Sequence, residues 1–130
     1  ENNLSSTILF EVNGDTTSIE SIKDGKLNGL FLNSNLGCRD KRGNYLDGYR
    51  DGWWIIYRSA SFGSKDCNQV VSNNKYNNGY LEQVIQFHSN GVKRMERSYR
   101  GGMIYEINYN YSGVETSRRS YKQNFNLRYN

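Results

Sequence analysis

Polar and apolar residues alternate most cleanly where Tyr105, Ile107, Tyr109 and Tyr111 interleave with Glu106, Asn108 and Asn110. A period of two sends the two sets to opposite sides of a β-strand, so this stretch predicts a strand with one apolar face. Stretches of the same kind run between turn positions at 29–37, 52–63, 83–91 and 105–113. Seven of the thirteen glycines follow Asn or Asp: Gly14, Gly25, Gly29, Gly48, Gly52, Gly79 and Gly91. Asn-Gly and Asp-Gly favour tight hairpin turns, whose two central residues both need positive φ.

The hairpins recur at a fixed spacing. Eight residues beyond Gly14, Gly37, Gly91 and Gly113 stand Ile22, Tyr45, Tyr99 and Tyr121; Tyr76 completes the column, in steps of 23, 31, 23 and 22 residues. The last two units share wording, VKRMERSY at 92–99 against VETSRRSY at 114–121. Such a period marks a repeat architecture, in which each unit buries its apolar face only by stacking on neighbours. The expected fold is all-β: a single domain, 1–130, forming an elongated antiparallel sheet of β-hairpin repeats of about 22–23 residues. A partial repeat at 8–14 opens it, repeats continue to about 123, and a C-terminal cap at 124–130 closes it.

Counting two and four residues past each turn position gives Phe31, then Trp54 and Ile56, Ile85 and Phe87, and Ile107 and Tyr109. This column is apolar throughout and is expected on the core face. The other face then runs Leu30, Leu32, Trp53, Ile55, Tyr57 and Val84, followed by Gln86, His88, Glu106, Asn108 and Asn110. Its first half is apolar and its second half polar. An apolar surface on the solvent side of a sheet calls for a cover from the same chain or for a partner.

The 31-residue step places an eight-residue insertion within 58–75. Irregular loops on a regular array are where function tends to sit. Cys38 and Cys67, the only cysteines, flank it. They read either as a disulfide in an exported protein or as two unpaired thiols in a reducing compartment. With one histidine, His88, and no CxxC spacing, no zinc site is expected, and no cofactor.

Composition narrows the class. Only 35% of residues are hydrophobic, yet there are eleven tyrosines and two tryptophans, a balance suited to a sheet buried on one side. No apolar stretch is long enough to span a bilayer. The chain begins at Glu1 without a signal-peptide pattern, which reads as a processed mature form or a trimmed chain. The net charge of +4 is uneven: residues 1–91 hold nine Lys/Arg against ten Asp/Glu, and residues 92–130 hold eight against three. The basic end suits nucleic acid, anionic lipid or an acidic protein, or is a strand face kept soluble by charge.

The stretch DGYRDGWWIIY at 47–57 resembles the bacterial variant of the MORN repeat, whose units run roughly Y-x-x-G-x-x-x-G-x-W-x-x-Y-Y-x-N-G. The segments 19–32, 83–91 and 92–109 fit as well, whereas the unit holding the insertion departs from it. Gln83 and Tyr105 or Glu106 stand where the second turn glycine belongs in the later units. The resemblance implies antitoxin or immunity proteins that bind bacterial toxins, or scaffolds with lipid binding, and carries no catalytic residues.

An enzyme needs an acid, base or nucleophile held by partners. His88 stands alone on a strand, and the acidic groups Asp24, Asp47 and Asp51 sit in turns, so catalysis is not expected. Arg94, Arg97, Tyr99, Arg118, Arg119 and Tyr121 come near a nucleic-acid pattern, but the two tyrosines belong to the repeat column. Nucleic acid is therefore disfavoured as a partner. Protein binding fits best, since interface cores favour Trp, Tyr and Arg. The expected surface is Trp53, Ile55, Tyr57 and Arg58, running into the insertion, with Leu30, Leu32 and Val84 beside them. With the resemblance, the expected partner is a cognate toxin or effector, the alternative being a scaffold or a lipid- or nucleic-acid-binding surface. The compartment is periplasmic or otherwise exported if the cysteines are bonded, cytoplasmic if they are free.

Overall fold

The protein is seen in a computed structural model that describes residues 5–12, 15–35, 38–58 and 69–130. Ten strands follow one another: β1 (Ser5–Val12), β2 (Asp15–Lys23), β3 (Lys26–Asn35), β4 (Cys38–Leu46), β5 (Tyr49–Tyr57), β6 (Val70–Asn77), β7 (Tyr80–Phe87), β8 (Lys93–Arg100), β9 (Met103–Tyr109) and β10 (Glu115–Lys122). They form one open antiparallel sheet in sequence order, with β1 and β10 as its edges and no helix among the described residues. At the usual strand spacing the sheet extends roughly 43 Å across its strands. The expected hairpin array is what the chain forms.

The two ends of the strands use different turns. At one end, Asp24-Gly25, Asp47-Gly48 and Asn78-Gly79 take positive φ at both residues (50° and 77°, 50° and 86°, 49° and 86°), as a two-residue hairpin demands. Gly101-Gly102 does the same between β8 and β9. At the other end the loops are longer: His88 N donates to Val92 O at 2.8 Å and Asn110 N to Val114 O at 2.9 Å. The insertion lies at this second end. Strand β6 begins at Val70, and residues 59–68, which hold most of the 58–75 range expected to carry the insertion, and Cys67, lie outside the described residues.

Register decides which residues share a face, and here the column reading is corrected. Pairing runs Trp54–Asn74–Val84–Arg97–Glu106–Arg119 along one face, the core face. The next row on the outer face is Leu32–Arg42–Ile55–Asn73–Ile85–Glu96–Ile107–Arg118. So Ile85 and Ile107 lie with Ile55, not with Trp54, while Val84 and Glu106 lie with Trp54, not with Trp53. The cause is a series of bulges that dwindles along the sheet. Successive core-face positions are four apart in β3 (Leu27, Phe31) and β5 (Arg50, Trp54), three apart in β7 (Leu81, Val84) and two apart in β9 (Ile104, Glu106). Losing one extra residue flips every side chain beyond it, so a fixed count from the turn fails. Gly29 (φ 105°) and Gly52 (φ 72°) serve the wide bulges, and Gln83 and Tyr105 replace them where the bulge narrows.

The core is a file of rings. Trp54 is fully buried among Phe31, Tyr45 and Tyr76, with centroids 5.7, 4.9 and 6.5 Å away, and its Nε1 donates to Asn44 O at 2.9 Å. Arg50 covers the file, its guanidinium 4.7 Å from the Trp54 ring and 5.6 Å from Tyr76. The segment expected as a C-terminal cap, 124–130, runs as a strap across the core face. Tyr129 packs 5.4 Å from Tyr76, its amide donates to Gly79 O, its carbonyl accepts from Arg50 N, and Arg128 lies 3.4 Å over the Tyr49 ring. The strap thus joins the hairpin ends at 47–50 and 78–80.

Candidate functional site

The outer face follows from the repeat. Each odd-numbered strand from β3 to β9 places an aliphatic residue in its central row (Leu32, Ile55, Ile85, Ile107), and each even-numbered strand from β4 to β10 a polar or charged one (Arg42, Asn73, Glu96, Arg118). The four aliphatic residues are half-buried. Beside this row lies a second, Trp53–Lys75–Gln83–Ser98–Tyr105–Ser120. Lys75 Nζ stands 5.9 Å from the Trp53 ring and the Arg100 guanidinium 4.6 Å from the Tyr105 ring.

Four of the seven residues expected to bind a partner come together here. Leu30, Leu32, Trp53 and Ile55 share the outer face on β3 and β5, with Leu30 36% and Trp53 43% exposed. Arg58 is exposed at the end of β5, its amide donating to Gln69 O at 2.7 Å. Tyr57 is buried, and Val84 is buried on the core face beside Arg97. Those two are not part of an exposed patch. The face therefore does not turn from apolar to polar along the array. It keeps one aliphatic row throughout, and the polar residues Gln86, Glu106 and Asn108 belong to the core face.

The core face changes character instead. From β8 onward its central row is ionic: Arg97 Nε donates to Glu106 Oε1 at 3.0 Å and Arg119 Nε to Oε2 at 2.6 Å, while Asn108 Nδ2 reaches Oε2 at 3.3 Å. Glu106 is buried. The Arg119 hydrogen bond, helped by Arg97 and Asn108, outweighs desolvation and lowers its carboxyl to about 2. Burial works against the Arg97 charge, but the bond to Glu106 wins and holds its pKa above the usual value. A recess of about 250 Å³ lies between this face and the strap, lined by Leu81, Tyr99, Ile104, Tyr121, Phe125 and Leu127 among others. Tyr99 and Tyr121 of the repeat column thus face the strap, and no local pattern announces this recess, since the strap's path is set by contacts 50 residues away.

His88 Nε2 lies 2.8 Å from Tyr109 O, and its ring stacks on Tyr111 at 4.2 Å. Among the described residues no three His, Cys, Asp or Glu stand close enough to hold a metal. Cys38 is buried at the start of β4 and is not a free thiol; Cys67 lies outside the described residues. No helix among the described residues is long and apolar enough to cross a membrane. No family model, curated protein or solved structure matches this chain.

Proposed function

We propose that this chain is a non-catalytic protein-binding module, an immunity or antitoxin protein that seats a cognate bacterial toxin on its outer face. One observation carries the reading: Leu30, Leu32, Trp53 and Ile55 lie together on the face opposite the strap, with Trp53 43% exposed and Lys75 against its ring. A large aromatic side chain ringed by aliphatic and cationic groups is the composition of a binding hot spot. The wording of 47–57, which resembles the bacterial MORN variant, makes a toxin the partner class. We further propose that Cys38 pairs with Cys67, the only other cysteine, and that the protein works in an exported, oxidising compartment.

The test is binding of a toxin encoded beside this gene. Trp53→Ala should weaken that complex by about 2 kcal/mol or more, as for a central anchor, with the melting temperature nearly unchanged. Full binding by Trp53→Ala overturns this surface. If no neighbouring toxin binds the wild-type protein, the immunity reading fails and a scaffold role gains.

A further inference from the structure

We propose that the free edge of β10 is a second docking site, which takes an acidic extended segment of a partner protein as an eleventh strand. It is independent of the Trp53 surface, roughly 24 Å and five strands away at ordinary strand spacing. Among the described residues β10 pairs only with β9, and every residue from Glu115 to Ser120 is exposed. After the bulge at Thr116, six residues from Ser117 to Lys122 run in regular register, so their outward peptide groups form an unpaired ladder edge. The chain then leaves this edge, since Gln123 N donates to Gly102 O and the strap crosses to Gly79.

Charge selects the occupant. Arg118 lies on the outer face and Arg119 on the core face, with side chains 69% and 63% exposed. Each binds its own carboxylate through Nε, Arg118 to Glu115 at 2.7 Å and Arg119 to buried Glu106 at 2.6 Å. A guanidinium has five N–H donors, so its terminal nitrogens can take a further carboxylate. An added strand with two successive acidic residues would present one to each face, since neighbours in a strand point to opposite sides. A second copy of β10 is a poor occupant, because it would bring Arg118, Arg119 and Lys122 of both copies onto one short ladder. Nucleic acid answers the cations but leaves the peptide ladder unpaired. An acidic strand answers both, the mode of strand addition at a sheet edge.

The experiment uses the whole chain and two blocked eight-residue peptides, TVTEEVTV and TVTKKVTV. The acidic peptide should bind with Kd below about 1 mM and at least roughly ten-fold tighter than the basic one. Amide exchange at 117–122 should slow in the complex. Arg118→Glu, which leaves the buried Glu106 network intact, should remove or reverse the preference, and Trp53→Ala should retain it. Equal or absent binding of the two peptides overturns the proposal, as does acidic-peptide binding without protection of the β10 amides. A single-stranded oligonucleotide that outcompetes the peptide at this edge would make it a nucleic-acid site. Concentration-dependent filaments that protect β10 without peptide would make it a contact between copies. Failure of the peptide experiment leaves the Trp53 surface untouched.

Discussion

The Trp54 indole lies directly on the backbone of Gly43, so that a Cβ at position 43 would collide with the ring carbons. Gly43 needs no unusual φ; it is required for space alone. The fully buried tryptophan can therefore sit in a single-layered sheet, closed from below by bare backbone and from the sides by Phe31, Tyr45, Tyr76 and Arg50.

Gly43→Ala should accordingly destabilise the fold by about 1–3 kcal/mol through overpacking. Trp54→Ala should cost about 3–5 kcal/mol, the range for removing a buried aromatic side chain. The double variant should cost less than the sum, because the alanine methyl enters the space that the indole leaves. Urea titrations of the three proteins check this; strict additivity would contradict the contact.

Glu106 makes stability depend on acid. Its carboxyl falls from an ordinary 4.5 to about 2 on folding, chiefly through Arg119. A depressed folded pKa adds stability that is complete above the unfolded value and disappears as pH falls from about 4.5 toward 2. Exposed Arg119 is screened by solvent, so the contribution should be on the order of 1–2 kcal/mol. Melting temperatures of wild type and Glu106→Gln should differ at pH 6 and converge near pH 2. A constant gap would sink the assignment.

The strap should report on the hairpins it joins. Removing residues 128–130 takes away the ring of Tyr129 from Tyr76, the cation over Tyr49 and the amide partners of Arg50 and Gly79. Hydrogen exchange at the Arg50 amide should accelerate at least roughly ten-fold, while that of β9 stays unchanged. Exchange that accelerates evenly over the sheet would mean that the strap supports the whole array instead.

Deleting Glu82 tests the dwindling bulges. It would leave Leu81 and Val84 two apart, the regular spacing already present between Ile104 and Glu106 in β9. This deletion should cost under about 1.5 kcal/mol, whereas deleting Ile85 would turn Gln86 and Phe87 onto the wrong faces and cost several kcal/mol. Thermal melts of the two deletions decide it. Equal destabilisation would contradict the bulge reading.

The chain of residues determined more than fold class by itself. Asp24-Gly25, Asp47-Gly48 and Asn78-Gly79 set two-residue turns, because few other residues tolerate positive φ at both places, and the spacing of Tyr45, Tyr76, Tyr99 and Tyr121 fixed the column that every even-numbered strand from β4 to β10 presents to the core face. Such features are local, and each is complete within one hairpin. The face on which Val84, Ile85, Glu106 and Ile107 fall is not local. It depends on how many residues each bulge absorbs against its neighbour, and a strand's own alternation is silent about that count. The ionic row, too, needs Arg97, Glu106 and Arg119 on three adjacent strands in one register before it exists at all. The strap is more distant still, as Arg128 meets the Asn78 carbonyl across 50 residues at 2.9 Å. Turn chemistry is written in neighbouring residues; register, faces and the strap arise only when strands far apart in sequence are laid side by side.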